Sequence, residues 1–214
     1  MDVKIILADD HKIVLDGLRS LLESQTGMEV IGEAIDGYKA IELVRELSPD
    51  VVIIDVALPM LNGIETIRQI LAENPGIKIL ALSMYSDIRF AVEMFKAGAA
   101  GYLPKDCAFK ELTFAIKTVL VNKIYLSPNM TEKIVKDFIN NSKDTNSVFS
   151  VLTAKERQVL QLMAEGKTRN QIAMALFISE KTVETHHRNI TKKLGIQSIA
   201  GLTKYAVREG LTCL

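Results

Sequence analysis

Three carboxylates stand where two apolar runs end. Val51-Val52-Ile53-Ile54 runs into Asp55, and Val3-Lys4-Ile5-Ile6-Leu7-Ala8 runs into Asp9-Asp10. A run of this kind reads as a strand buried in a parallel sheet. Acids at the carboxyl ends of such strands lie where open parallel sheets hold their ligands. Gathered at one rim, they repel and raise each other's pKa values unless a cation offsets the charge. A few carboxylate oxygens without nitrogen suit magnesium, which keeps an octahedral oxygen shell and several waters. Ser83, after a strand at 77–82, and Lys105, after one at 100–103, reach the same rim. Acid, hydroxyl and ammonium around a metal are the groups phosphoryl transfer needs, because the transferring group spreads negative charge over three oxygens. Asp55 would be the nucleophile, forming an acyl phosphate.

Each residue alone has a plainer reading. Asp9-Asp10 would be a capping pair before a helix at 12, and Lys105 a solvated surface lysine. The reactive reading rests on all four elements falling on successive strand ends in the right order.

The elements that position them follow from hydrophobic spacing. Strands are expected at 3–8, 28–34, 51–55, 77–82 and 100–103, and helices at 12–25, 37–47, 62–73, 86–97 and 107–121. Asp36, Asn62 and Asp106 are the expected helix caps. Strands alternating with helices predict a doubly wound parallel sheet, and right-handed crossovers put the strand C-termini on one rim.

Charge divides the chain. Residues 1–121 carry 12 Lys+Arg against 18 Asp+Glu, and residues 148–214 carry 10 against 5. An acidic front and a basic back point to two domains with different partners. The expected division is 1–121, then 122–147 as a linker helix and flexible linker, then 148–214. Cys107 and Cys213 have no metal or redox spacing, which argues against a disulfide scaffold and suits a reducing compartment. Apolar runs are too short for a membrane span, and no signal peptide precedes the first strand. The expected location is the cytoplasm, with no membrane partner.

The last segment reads as four helices. Thr153 and Glu156 have capping-box spacing. A short helix at about 168–176 and a longer one at 180–194, capped by Ser179 and ended by Gly195, make a helix-turn-helix pattern. On the longer helix Val183, Ile190 and Leu194 should pack inward. Lys181, Glu184, Thr185, Arg188 and Lys192 fall on the other face, where basic residues neutralise phosphates and Arg and Glu read bases. Taken alone, that charged face reads as ordinary solvation. His186-His187 reads as a DNA- or solvent-facing pair rather than a metal site, because helix neighbours point about 100° apart. Ile199, Leu202, Tyr205 and Ala206 offer a dimer helix at 198–209, or else pack within the domain.

These motifs carry a family resemblance. Residues 3–121 resemble the receiver domain of two-component response regulators through Ala8-Asp9-Asp10-His11, Ile54-Asp55, Pro59, Asn62-Gly63, Leu82-Ser83 and the segment Ala97 to Asp106. The resemblance implies a flavodoxin-like fold with a five-stranded sheet in the order 2-1-3-4-5. It implies that Asp55 accepts phosphate from a sensor histidine kinase. It further implies that Asp10, Asp55 and the Ala57 carbonyl bind Mg²⁺, with Asp9 acting through water. Ser83 and Tyr102 become the switch pair, Ser83 moving to the phosphate and Tyr102 rotating inward, and Lys105 the phosphate partner. Many receivers have proline directly after this lysine. Here Asp106 follows, a non-proline cis bond costs about 3 kcal/mol, and a trans bond is expected.

Residues 148–214 resemble the LuxR-type helix-turn-helix of the NarL/FixJ subfamily, through Leu152 to Arg157, Glu165 to Ala173, Ile178 to His186 and Lys192-Lys193-Leu194-Gly195. That implies promoter DNA as ligand, Glu184, Thr185 and Arg188 as base readers, and Lys181, Thr182, His186 and Lys192 as phosphate contacts. It also implies a homodimer when active, with RNA polymerase as a further candidate partner. Two rivals belong to other classes. A Mg-dependent phosphohydrolase needs a second Asp two residues after the nucleophile, where this chain has Ala57. An interaction module that never takes phosphate would not need the intact acids, Ser83 and Lys105.

Overall fold

The computed structural model describes residues 2–84, 88–140 and 151–212. The chain divides into two compact units, Met1–Ser142 and Lys143–Leu214.

The first unit is a parallel sheet between two helical layers. Its strands are β1 (Val3–Ala8), β2 (Met28–Ala34), β3 (Val51–Asp55), β4 (Lys78–Ser83), β5 (Gly101–Pro104) and β6 (Tyr125–Leu126). Its helices are α1 (Lys12–Glu23), α2 (Gly37–Leu47), α3 (Gly63–Glu73), α4 (Ile88–Ala97), α5 (Lys105–Leu120) and α6 (Pro128–Asn140). The order is β2-β1-β3-β4-β5-β6, every pair parallel. β3 lies between β1 and β4 and is buried along its whole length. That burial is why its sequence is continuously apolar up to Asp55. One core packs Ile5, Leu7, Ile53, Leu80 and Leu103 of the sheet against Leu15, Leu18 and Leu22 of α1 and Leu112, Ile116 and Val119 of α5. Strand alternation turns Ile6, Val52, Ile54 and Ala81, all buried, to the other face.

Asp36 caps α2 by accepting from the Lys39 N–H, and Asn62 caps α3 by accepting from the Glu65 N–H. Two expectations are corrected. Asp106 is no cap: α5 begins at Lys105, Pro104 holds the cap position, and Asp106 sits in the first turn. Proline offers no side-chain acceptor, and an acid inside the first turn still meets the positive end of the helix dipole. Among the described residues the sheet also has six strands, not five. Tyr125 and Leu126 pair with Gly101 and Tyr102 and cover the open edge of β5. A two-residue strand is too short to show a period of two, which hid it in the sequence. Its anchor is side-chain chemistry: the Tyr125 hydroxyl donates to Glu111 at 2.6 Å, and its ring meets Phe114 edge-on. No peptide bond among the described residues is cis, so the Lys105–Asp106 bond is trans as expected.

The second unit has helices α7 (Ala154–Ala164), α8 (Arg169–Leu176), α9 (Glu180–Leu194) and α10 (Ile199–Arg208). Thr153 and Glu156 form the expected capping box. A second box, Thr168 with Gln171, opens α8 and was not recognised in the sequence, although its spacing is the same. Ser179 caps α9, and Gly195 ends it with φ of 68°, the left-handed conformation that favours glycine. Of the polar stretch 140–147, expected as flexible linker, Asn140 ends α6 and 141–147 lie outside the described residues. No described helix is long and apolar enough to cross a membrane.

Gly63 ties the fold to the acidic rim. A Cβ at this position would stand 2.2 Å from the backbone oxygen of Asp55. Gly63→Ala must therefore push α3 away from the end of β3. We expect it to destabilise the first unit by about 1–3 kcal/mol, read as a lower urea midpoint, while the second unit's transition stays put. An unchanged first transition would mean that the loop has slack.

Candidate functional site

β1, β3, β4 and β5 all end on one rim, and the sheet register aligns them. Ala8 pairs with Ile54, Asp55 with Leu82, and Ser83 with Pro104. Asp9 and Asp10 therefore follow β1 beside Asp55, the last residue of β3. Ser83 ends β4, and Lys105 follows β5 as the first residue of α5.

The side chains converge. Lys105 Nζ lies 2.6 Å from Asp9 Oδ2 and donates to Asp55 Oδ2 at 2.9 Å. Asp9, Asp55 and Lys105 are 1%, 4% and 8% exposed. Asp10 is more open, its Oδ1 2.8 Å from His11 Nδ1. Ser83 and Tyr102 are wholly buried, and Ala57 is buried two residues after Asp55. Tyr102 occupies an inward position in this structure. Asp9 and Asp10 do not cap α1. The cap residue is His11, without a side-chain cap bond, and Asp9 Oδ1 instead accepts from the His11 N–H at 3.0 Å.

Burial pushes the Asp55 carboxyl above the ordinary carboxylate range and the charge on Asp9 pushes the same way; Lys105 and the Ala57 N–H pull it down without winning. Burial pulls the Lys105 ammonium down, but Asp55 and Asp9 outweigh it and hold it above an ordinary lysine. The pair is thus a strongly held cation beside carboxylates that crowd one another.

Ligand oxygens of Asp9, Asp10 and Asp55, with a ring nitrogen of His11, lie within 4.8 Å of one another. Asp9 Oδ2 is buried and faces the Lys105 ammonium at 2.6 Å. Carboxylate oxygens that converge this closely fit a divalent cation. His11 was quoted in the sequence motif but given no role there; its adjacency to the acids was the available signal.

On α9, Val183 and Ile190 are buried and Leu194 is half-buried. Lys181, Glu184, Thr185, Arg188 and Lys192 are exposed along one side, with Thr182 and His186 half-buried. The hydroxyls are engaged locally: Thr182 with Ser179 Oγ at 2.8 Å, and Thr185 donating to the Lys181 carbonyl. Lys193 ties α9 to Glu156 of α7 at 2.6 Å, and Asn170 of α8 donates to Glu180 of α9 at 3.0 Å. Of the two readings of 198–209, packing within the domain holds for part of the face. Leu202 and Ala206 are buried on α10, which packs on α7. Ile199 is 62% exposed, and Tyr205 is half-buried with Arg208 over its ring. A shared helical pattern in sequence cannot separate an intradomain face from a dimer face.

Fold and sites define a two-part protein: a parallel α/β unit with an acid–lysine rim, followed by a helix-turn-helix unit. The pattern described as "Response regulator receiver domain" matches residues 5–117, and that described as "Bacterial regulatory proteins, luxR family" matches residues 150–206. The chain is 36% identical over 214 residues to the oxygen regulatory protein NreC of Staphylococcus carnosus, covering 98% of this chain and 99% of that one. A LuxR-family two-component response regulator from Aurantimonas superposes with TM-score 0.63 at 37% identity, over 65% of this chain and 99% of that one. RcsB from Salmonella enterica serovar Typhimurium, bound to promoter rprA with the phosphomimetic BeF3-, superposes with TM-score 0.66 at 28% identity, over 96% of this chain and 98% of that one. The chain belongs to the response regulators of two-component systems, in the NarL/FixJ subfamily that joins a receiver to a LuxR-type DNA-binding domain.

The Asp55 environment has a measurable sign. A carboxyl whose folded pKa is raised contributes stability that is full below its unfolded value, near 3.9, and is lost as pH rises through the folded value. Ionised Asp55 therefore costs the receiver stability at neutral pH. Asp55→Asn is expected to melt at or above the wild-type temperature at pH 7, with the advantage shrinking as pH falls through the carboxylate range. A variant that melts well below wild type at pH 7 would show that Lys105 outweighs the burial.

Proposed function

We propose that this chain is a phosphorylation-controlled transcriptional regulator in which Asp55 is the phosphoacceptor. The observation that carries the reading is Lys105 Nζ held between Asp55 and Asp9 in a buried rim. An Asp55 carboxylate oxygen attacks phosphorus on the phosphohistidine of a sensor kinase. The P–N bond breaks, an acyl P–O bond forms, and the histidine nitrogen leaves and takes up a proton. Lys105 then exchanges a carboxylate for a phosphoryl oxygen, and Ser83 donates to another. Tyr102 holds its inward position behind Ser83.

Asp10, Asp55 and the Ala57 carbonyl would hold Mg²⁺, with Asp9 reaching it through water. Bound there, the ion offsets the charge of the acids and of the incoming phosphoryl oxygens. The chain's own part is to place the acceptor carboxylate, supply the ammonium and shape the rim. The kinship to transcription regulators argues against turnover of free phosphate esters, and Ala57 removes the second acid a phosphohydrolase needs. The receiver then catalyses only its own phosphorylation and slow loss of phosphate.

In the second unit, Glu184, Thr185 and Arg188 read bases in the major groove, and Lys181, Thr182, His186 and Lys192 contact phosphates. Phosphorylation shifts a population of conformers towards one that dimerises and exposes α9. Two copies meet half-sites about one helical turn apart or a multiple of that. A dimer at a promoter stands beside RNA polymerase, the further partner of this reading. The cytoplasm is the proposed compartment, where kinase and promoter both occur.

Two outcomes test it. A small phosphodonor with Mg²⁺ should add about 80 Da to the wild-type chain, the mass of a phosphoryl group. Chelation of the metal should stop the reaction, and Asp55→Asn should abolish it; a labelled variant would move the acceptor elsewhere. Arg188→Ala should cost about 1–3 kcal/mol on specific DNA and relax the preferred base. Equal affinity of variant and wild type across a salt series would take Arg188 out of the interface.

A further inference from the structure

The second unit holds a cavity of about 220 Å³ to which all four of its helices contribute. Met163 of α7, Ile172 of α8, Val183 of α9 and Ile199 of α10 make its lining largely apolar. Ile199 is 62% exposed, so the cavity opens to solvent beside it. An apolar cavity of about 150 Å³ takes up benzene. This one has room for a ring and one small substituent. None of the residues proposed above to touch DNA lines it.

Two features set the chemistry of that substituent. His187 lines the wall, one turn beyond Val183 on α9. Its Nε2 is buried without a hydrogen-bond partner among the described residues, and a buried polar atom left unpaired is costly. An occupant that bonds this nitrogen removes the cost. Charge is the second feature. Lys167 and Arg169, both exposed, also line the cavity, and no acidic residue does. A ring nitrogen and two cations without an acid favour an anionic group.

We propose that this cavity binds a small apolar carboxylate of about benzoate size. The ring lies among Met163, Ile172, Val183 and Ile199. The carboxylate accepts from His187 Nε2–H and faces Lys167 and Arg169. An occupant in contact with four helices braces α9 against the other three and stabilises the unit that holds it. The DNA-binding unit thereby gains a small-molecule input separate from phosphate on the first unit. The rivals are a bare anion patch at Lys167 and Arg169, an apolar hollow indifferent to charge, and a second copy of this chain covering Ile199.

The test titrates benzoate into the isotope-labelled full chain and follows it by NMR. Saturable shifts are expected at Ile172, Val183, His187 and Ile199, with a Kd of about 0.1–1 mM for so small a ligand. Inorganic phosphate, which has no ring, and benzyl alcohol, which has no charge, should each bind about tenfold more weakly or worse. His187→Leu should weaken benzoate about tenfold. The proposal is overturned by the absence of saturable shifts up to about tenfold above that range, or by shifts confined to Lys181, Arg188 and Lys192. Phosphate equal to benzoate overturns it in favour of the anion patch, and benzyl alcohol equal to benzoate in favour of the apolar hollow. Shifts around Ile199 that follow protein concentration and block benzoate give the cavity to a second copy. Unchanged benzoate affinity in His187→Leu also overturns it; should that variant fail to fold, the ligand comparison on the wild type still decides.

Discussion

The receiver is organised around one electrostatic constraint: two buried carboxylates on neighbouring strand ends, held by a single ammonium. Unit charges about 4 Å apart interact by roughly 4 kcal/mol at the effective dielectric of a protein rim. Asp9 and Asp55 cannot relieve their repulsion by turning to solvent, because β3 and the end of β1 are buried on both faces. The cation has to come from elsewhere, and it comes from the end of β5, two strands from β3. Lys105 can reach both acids only if β4 lies between with its register kept, so that Ser83 is brought opposite Pro104. The same constraint makes the rim responsive. Any negative group or cation added there changes what Lys105 must offset, and Lys105 is the first residue of α5.

That position links the chemistry to the edge of the sheet. β5 carries Tyr102 and runs directly into Lys105, so the strand's register and the lysine's reach are one mechanical object. An edge strand with open N–H and C=O groups would leave that register weakly set. β6 closes the edge, with Tyr125 opposite Gly101 and Leu126 opposite Tyr102. Gly101 is suited to this place: a Cβ there would meet the Leu80 side chain at 2.5 Å and the Tyr125 carbonyl at 3.0 Å. The short strand continues into α6, whose Met130 is fully buried. The segment after α5, read in sequence as linker, therefore begins as part of the receiver sheet.

How much of this the sequence shows depends on the length scale of the signal. β3 and Asp55 are legible because a five-residue buried run ending in an acid is a local pattern. Caps at Asp36, Asn62, Thr153 and Ser179 are legible because the hydrogen bond spans three residues. Asp106 misled for the same reason: an acid at a helix start looks alike one residue inside the helix or outside it. β6 was illegible because its stability comes from Glu111 and Phe114 on α5, residues that only the fold brings near. Leu202 and Ala206 were legible as an apolar face, but the partner of that face was not. Lys105 was placed on the right rim, yet its double attachment to Asp9 and Asp55 appears only once side chains are placed.

Helix α9 shows a different economy of interactions. α9 buries Val183 and Ile190 fully and leaves most of its length exposed. Two apolar residues contribute about 3–6 kcal/mol when buried, little for fixing the rotation of a fifteen-residue helix. Polar ties supplement them at both ends: Asn170 to Glu180 near the start and Glu156 to Lys193 near the finish. The first is exposed and worth less than about 1 kcal/mol. The second joins a buried carboxylate, itself part of the Thr153 capping box, to the last turn of α9. Glu156 thus locks the start of α7 and the end of α9 with one side chain, and its burial makes the bond costly to leave unmade. Val183, Ile190 and this ion pair thus help set the angle at which Glu184, Thr185 and Arg188 face outward.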